Sequence, residues 1–453
     1  MDRLPNELIA HILSFLDSGS TTDRALYEDP ATMSRPVQSG IRTPLKNASL
    51  VCRCWRSSVL NLLFRHVFWS FQRFYKPAGN DIASQIEVLD FLRRKGLSKH
   101  VDSLTIFIDP PSGSGQNRYA DGQFWGVLPP RSSHPEAPMS WNILWSVLSQ
   151  GPQSGSEDSE AGVAEERVRR HWDNNWFWHA IFHVIDPLRI TLVSSADIVS
   201  SLLSRSVDLT SEWAFDSIYY ILSLSRITRN LKYEERWDKL PSQQTDKAPH
   251  IPCDLVKIRD WTSLLINEGS FASVYSLYEF FHYAPPTLLP VILDAADPSF
   301  NTIHTTLHSF SYIATFPLSH HIADFLIPAC PPVERLYVQF QPKNRDFWES
   351  DSLSRVDRSD LWLESDASHS LLMRQILDPA PQRGWEKLKV FESGDTQLEG
   401  AWRIDAYDAL IDGVNGWREE NEGFFVRDTV PEVADDELEG VEQGQEDMEA
   451  LTI

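Results

Sequence analysis

Residues 50–67 read "LVCRCWRSSVLNLLFRHV": a tryptophan, Trp55, set among Arg53, Arg56 and Arg65 and beside Cys52 and Cys54, inside an otherwise apolar run. Such residues serve a metal or redox centre, a nucleic-acid contact, or an amphipathic helix that docks on a partner. Helical spacing favours the last. Thr43 is the predicted N-cap and Pro44 the first residue, after which Leu45, Ala48, Val51, Cys52, Trp55, Val59, Leu62 and Leu63 form one apolar stripe. Lys46, Arg53 and Arg56 fall largely off it. Cys52 then reads as a small core residue and Cys54 as a thiol on the flank, because C-x-C without a second ligand pair is not a zinc pattern. A short third helix is expected over "SVLNLLFRHVFW".

The whole chain narrows the choice. It has 453 residues, 42% of them hydrophobic, enough for two or three domains with real cores. Lys and Arg number 41 against 64 Asp and Glu, a net charge of -23, so nucleic acid and anionic membranes would be repelled by most of the surface. The arginines of the opening stretch are expected to face solvent or an acidic protein partner. Four cysteines, Cys52, Cys54, Cys253 and Cys330, are too few and too scattered for a disulfide framework and fit a reducing compartment.

Toward the N-terminus, "MDRLPNELIAHILSFLD" places Leu4, Leu8, Ile9, Ile12, Leu13 and Leu16 at helical spacing. Pro5 suits an early helical position, and Glu7 meets the positive end of the helix dipole. No apolar run is long enough for a signal peptide or a membrane span, so a cytoplasmic or nuclear protein is expected and the sequon at Asn47 should stay unused. A module of this size rarely stands alone and should lean on something.

"LPNELIAHILSFL" followed by "LKNASLVCRCWRSSVLNLLFRHV" resembles the F-box, the helical motif by which substrate receptors join Skp–cullin–F-box ubiquitin ligases. The resemblance covers residues 1–70. It implies a Skp-type adaptor and a cullin as partners, with adaptor-facing and module-packing positions at Leu4, Pro5, Leu8, Ile12, Leu13, Leu16, Leu50, Val51, Cys52 and Trp55. Spacing alone does not divide these between internal core and interface. Residues 17–43 depart from the motif: where a short loop is usual, the polar stretch "DSGSTTDRALYEDPATMSRPVQSGIRTP", punctuated by Pro and Gly, reads as an inserted surface loop. Loop closure costs only about 0.6 kcal/mol per doubling of length, so the insertion need not break the motif.

Residues 71–427 change character. "DIASQIEVLDFLRRKG" reads as a helix ended by Gly96, and "HVDSLTIFIDPP" as a strand. "SWNILWSVLSQ" is a short helix, residues 151–166 are low in hydrophobics and expected to be flexible, and "RVRRHWDNNWFWHAIFHVI" is a helix leading into the strand "PLRITLVSS". Helix then strand recurs in "HHIADFLIPACPPVERLYVQF" and "SHSLLMRQILDPAPQRGWEKLKVFES". Phe310, Leu336 and Leu388 sit at expected strand centres, one and then two steps of about 26 residues apart, within the span of leucine-rich repeats. The expected fold class is therefore mixed α and β: a small three-helix F-box, then degenerate leucine-rich-repeat-like units. F-box proteins of fungi often have this layout. The tail, residues 428–453, is acidic and expected to be disordered.

No Gly-x-Ser-x-Gly elbow, Walker loop, Gly-x-Gly-x-x-Gly turn or His-Glu-x-x-His helix occurs. His179 and His183 have ligand spacing without a third ligand, and "SHH" at 319–321 reads as a helix start and not a catalytic Ser and His, since nothing in the sequence fixes an acid beside it. Trp141, Trp145, Trp172, Trp176 and Trp178 are expected in the core, with an aromatic recognition patch as the alternative. The expected function is a non-enzymatic substrate receptor without cofactor or metal, its target protein unknown. The alternatives are an F-box scaffold acting outside ubiquitination and an enzyme with an unrecognised site in 101–427.

Overall fold

The computed structural model describes residues 6–17, 21–34, 43–70, 86–109, 175–203, 205, 207–229, 255–293, 301–343, 345–349, 351–378, 384–396 and 405–428. Ten strands form one sheet: β1 (His66–Ser70), β2 (Ser103–Phe107), β3 (Arg189–Ser194), β4 (Tyr220–Ser225), β5 (Ser263–Ser270), β6 (Ser309–Thr315), β7 (Arg335–Gln339), β8 (Val390–Ser393), β9 (Trp417–Asn421) and β10 (Phe424–Arg427). Their spatial order follows the chain except at the end, where β10 lies between β8 and β9. Pairing is parallel from β1 to β3 and from β5 to β8. Strand β4 runs antiparallel to both its neighbours. The final hairpin turns at Gly423, whose φ of 71° suits a residue without a Cβ.

Side chains alternate between the two faces, and the two faces differ in composition. On one, the register aligns Leu104, Ile190, Leu224, Leu264, Phe310, Leu336 and Phe391 in one row, and Ile106, Leu192, Leu222, Ile266, Tyr312 and Val338 in the next. All of these are buried, beneath the helices that join the strands. Burying an aliphatic or aromatic side chain contributes about 1.5–3 kcal/mol, so this face is where the stability resides. The other face carries Thr105, Thr191, Ser223, Leu265, Ser311 and Tyr337 in one row, beside Phe107, Val193, Ile221, Asn267, Ile313 and Gln339 in another.

Several of the expected helices after residue 86 form among the described residues: α5 (Glu87–Arg94) stops before Gly96 at φ 65°, α6 (Asn175–Val184) precedes β3, and α7 (Arg358–Ile376), which starts earlier than expected, precedes β8; the helix expected over "SWNILWSVLSQ" lies outside the described residues. Leu388 does not sit at a strand centre: it lies two residues before β8, and Phe391 takes the place opposite Leu336. Turn residues 384–387 end just before Leu388, so the chain becomes extended only beyond it. Trp178 is core, its indole N–H donating to Leu202 O at 2.8 Å. Trp141, Trp145, Trp172, the Trp176 and His179 side chains, residues 151–166 and the tail from 429 lie outside the described residues.

At the N-terminus, α1 (Asn6–Ser14), α2 (Thr21–Ala25), α3 (Thr43–Val51) and α4 (Arg53–Leu63) precede β1. Several expectations need correction. The helix from Thr43 is not continuous to Leu63 but breaks at Cys52, which is exposed and extended (φ -160°, ψ 172°), its Sγ accepting from Trp55 N as the N-cap of α4. Cys52 is therefore a cap and not a core residue. "SVLNLLFRHVFW" is not a third helix: Ser58–Leu63 completes α4, and His66 onward is strand, because β-branched and aromatic residues there alternate in and out of the sheet. The insertion is not simply a surface loop either, since Leu26 and Met33 are buried against the sheet's second face, opposite the helices that join the strands. Two apolar residues seven positions apart leave no periodic trace in sequence.

Candidate functional site: an apolar surface on the N-terminal helices

A helix advances about 100° per residue, so Leu8, Ile9, Ile12, Leu13, Phe15 and Leu16 cover a stripe about 160° wide on α1 and the turn after it. Three short helices cannot bury so wide a stripe. Ile9 and Leu13 turn inward and pack with Leu45, Ala48 and Val59, with Trp55, Leu62 and Leu63 half-buried around them. Leu8, Ile12, Phe15 and Leu16 stay outside, at 49%, 51%, 77% and 38% exposure. Leu50 and Val51 at the end of α3 are exposed as well, at 77% and 63%. The break at Cys52 explains the last pair, because it ends α3 before its stripe can continue onto the core.

Structure thus sorts the positions that spacing left together. Leu13 is internal core; Leu8, Ile12, Leu16, Leu50, Val51 and Cys52 are exposed; Trp55 is half-buried, and Leu4 and Pro5 lie outside the described residues. Phe15 was not singled out by sequence, yet it is among the most exposed apolar residues of the module, its ring edge-on to His11 at 5.1 Å. The available signal was the breadth of the stripe: Phe15 falls one turn beyond Ile12 on the outer edge.

The module is seated firmly on the sheet. Arg65, between α4 and β1, donates from Nε to Asp102 Oδ2 at 2.6 Å and lies 3.6 Å from Asp17 just after α1. The hydrogen bond to Asp102 is the main reason its guanidinium holds its proton even more tightly than usual. Backbone bonds from Asp102 N and Ser103 N to Arg65 O reinforce the joint, and Phe64 packs on Phe91 with ring centroids 5.1 Å apart. The ion pairs are part-exposed and worth little alone; the backbone continuity into β1 sets the orientation.

Elsewhere, ion pairs such as Lys389–Glu334 and Arg418–Asp428 lie on the surface, and two clusters of titratable groups are enclosed by the core. Glu268 is fully buried: its Oε1 accepts from Thr287 Oγ1 at 2.6 Å and Leu288 N at 2.8 Å, and its Oε2 accepts from Tyr312 Oη at 2.8 Å and lies 3.1 Å from His321 Nε2. The acid that sequence did not provide for His321 therefore exists, brought from a strand 53 residues away. Around Asp395, Phe340 N and Gln341 N donate to the carboxylate, His369 Nε2 lies 3.4 Å away, and Tyr407 Oη joins His369 Nδ1 to Ser393 Oγ at 3.0 Å each. Burial pushes Asp395 up to about 7 and His369 down to about 3. Both sets are enclosed by the core, each with one histidine nitrogen, His321 Nδ1 or His369 Nε2, that has no hydrogen-bond partner. No group of three or more His, Cys, Asp or Glu side chains suited to a metal occurs among the described residues. No helix among them is long and apolar enough to cross a membrane.

An F-box-like family model matches residues 1–70, the segment that carries the apolar surface. No curated protein and no solved structure matches the chain.

Proposed function

We propose that this protein, whose residues 1–70 are an F-box-like domain, is the substrate-recognition subunit of a Skp–cullin–F-box ubiquitin ligase. F-box domains bind Skp-type adaptors, and F-box proteins are generally non-catalytic. The carrying observation is the exposure of Leu8, Ile12, Phe15, Leu16, Leu50 and Val51 on one small helical module, more apolar side chain than a protein usually leaves in water without a partner. The adaptor covers this surface, and the sheet region holds the target. The receptor then acts by proximity: a target lysine held near a charged ubiquitin carrier reacts as though the transfer were intramolecular. Rigid seating of the module through Arg65 and β1 serves that role, because effective molarity falls when the two ends of a tether move independently.

We also read the region from β5 to β8 as repeat-like. Supporting this are the chain-order parallel pairing and the register that aligns Phe310, Leu336 and Phe391; the reversed β4 marks the limit of any regularity.

The test is capture of a purified Skp-type adaptor by the full chain and by the Leu8→Asp, Ile12→Asp double variant. Capture by the wild type and its loss in a variant with an unchanged melting curve is the expected result. Equal capture by both would remove the basis of the proposal. Ubiquitin transfer to a co-purified protein in a reconstituted ligase then separates a receptor from a scaffold.

A further inference from the structure

Residues 21–34 lie across the face of the sheet opposite the strand-joining helices and are held there in an unusual way. Leu26 and Met33 are buried among Phe107, Val193, Ile221, Leu265, Ile313 and Tyr337. Between these anchors the face grips backbone. Asn267 Nδ2 donates to Leu26 O at 2.9 Å and to Glu28 O at 2.8 Å, and Gln339 Nε2 donates to Tyr27 O at 3.3 Å. The Tyr27 ring stands edge-on to Tyr337 at 5.0 Å, with the Lys343 ammonium 4.9 Å from its centroid. At the other end Thr105 Oγ1 donates to Thr22 Oγ1 at 3.2 Å, and Asp23 pairs with Arg189.

This pattern differs from that of the helical face. Apolar side chains there meet apolar side chains in two unbroken rows, whereas here buried side-chain amides read the carbonyls of a passing chain and one apolar cluster takes its two anchor residues. Main-chain recognition with spaced side-chain anchors is how folded domains hold short peptide segments. Small Ser and Thr side chains at Thr105, Thr191, Ser223 and Ser311 leave room for that approach. Charge adds direction. The segment from 21 to 34 carries Asp23, Glu28 and Asp29 against a single Arg24, while Arg189, Lys343 and Arg335, the last paired with Glu392, lie on or beside the face of a chain whose net charge is -23.

We infer that this face is a binding site for a short acidic protein segment with two spaced aliphatic anchors, and that residues 21–34 are its tethered occupant, displaced when such a segment from a target arrives. The inference deepens the receptor reading and rests on it only in calling the incoming segment a substrate. Recognition couples to the adaptor end, because the displaced occupant is part of the F-box-like domain itself.

The test uses the full chain and a fluorescent peptide with the sequence of residues 21–34. In one variant Leu26→Asp and Met33→Asp release the occupant; in a second, residues 19–41 are replaced by a Gly/Ser linker. Urea melting checks that each folds. The expected result is saturable binding of the peptide to both variants and binding at least tenfold weaker to the wild type, since a tethered competitor acts at an effective concentration on the order of millimolar. A peptide carrying the same two aspartates should not bind. Folded variants that ignore the peptide overturn the inference, as does equal binding by wild type and variants. Failure of both variants to fold also overturns it, by making the segment permanent core. Adaptor capture is measured on the same variants: its loss with peptide binding intact breaks the receptor reading and leaves the occupied face standing.

Discussion

The sheet and the N-terminal helices handle the same kind of residue in opposite ways. Across β2 to β8, aliphatic and aromatic side chains on the helical face are covered from the chain's own helices. In the N-terminal module, a core of Ile9, Leu13, Leu45, Ala48 and Val59 sits beside an equally apolar set left in water. One region is complete in itself. The other is complete only when something covers it, and that difference locates the partner surface more directly than any single residue does.

The comparison breaks most visibly under truncation of large side chains. Phe310→Ala should cost about 3–5 kcal/mol in a urea melt, because a fully enclosed site cannot collapse around the loss. Phe15→Ala should change the same melt by no more than about 0.5 kcal/mol. Similar losses at both positions would mean that Phe15 is core in solution and that the exposed surface does not exist.

A pH series sharpens the sheet side. Asp395, raised from 3.8 to about 7, favours the folded state at low pH and loses that contribution as pH rises toward 7. His369, lowered from 6.5 to about 3, does the reverse: its contribution is present above 6.5 and lost as pH falls toward 3. Lys343, Tyr407, Ser393 and the Phe340 and Gln341 amides are the groups facing this pair. Between about pH 4 and 6.5 the two contributions oppose each other. Asp395→Asn should uncover the histidine, steepening the loss of stability with acid by about 1.4 kcal/mol per pH unit relative to wild type. Parallel curves of stability against pH would show that the buried pair does not titrate in this range.

Smaller effects are expected at the joint between α3 and α4. Trp55 is half-buried, so Trp55→Ala should cost about 1 kcal/mol, well below a core tryptophan, while weakening adaptor capture. Cys52→Ala removes the acceptor for Trp55 N and should cost a few tenths of a kcal/mol up to about 1 kcal/mol. A Trp55→Ala loss matching that of Phe310→Ala would place Trp55 in the core and shrink the contrast between the regions.

What sequence determined by itself is local. Apolar spacing announced α1, α5 and α7, alternation announced β2 and β3, and the paired motifs around Leu8 and Trp55 pointed to an F-box-like module. These patterns are legible because a helix or strand imposes its period on neighbours in the chain. Only tertiary structure decided which part of the α1 stripe meets water, since Leu8 and Leu13 have the same hydrophobicity and differ in what packs above them. It also decided the reversed β4, the meeting of Glu268 with His321, and the burial of Leu26 and Met33 beneath a segment that reads as polar loop. Each joins residues far apart in sequence, and coverage by a distant element leaves no periodic trace in either segment that makes the contact.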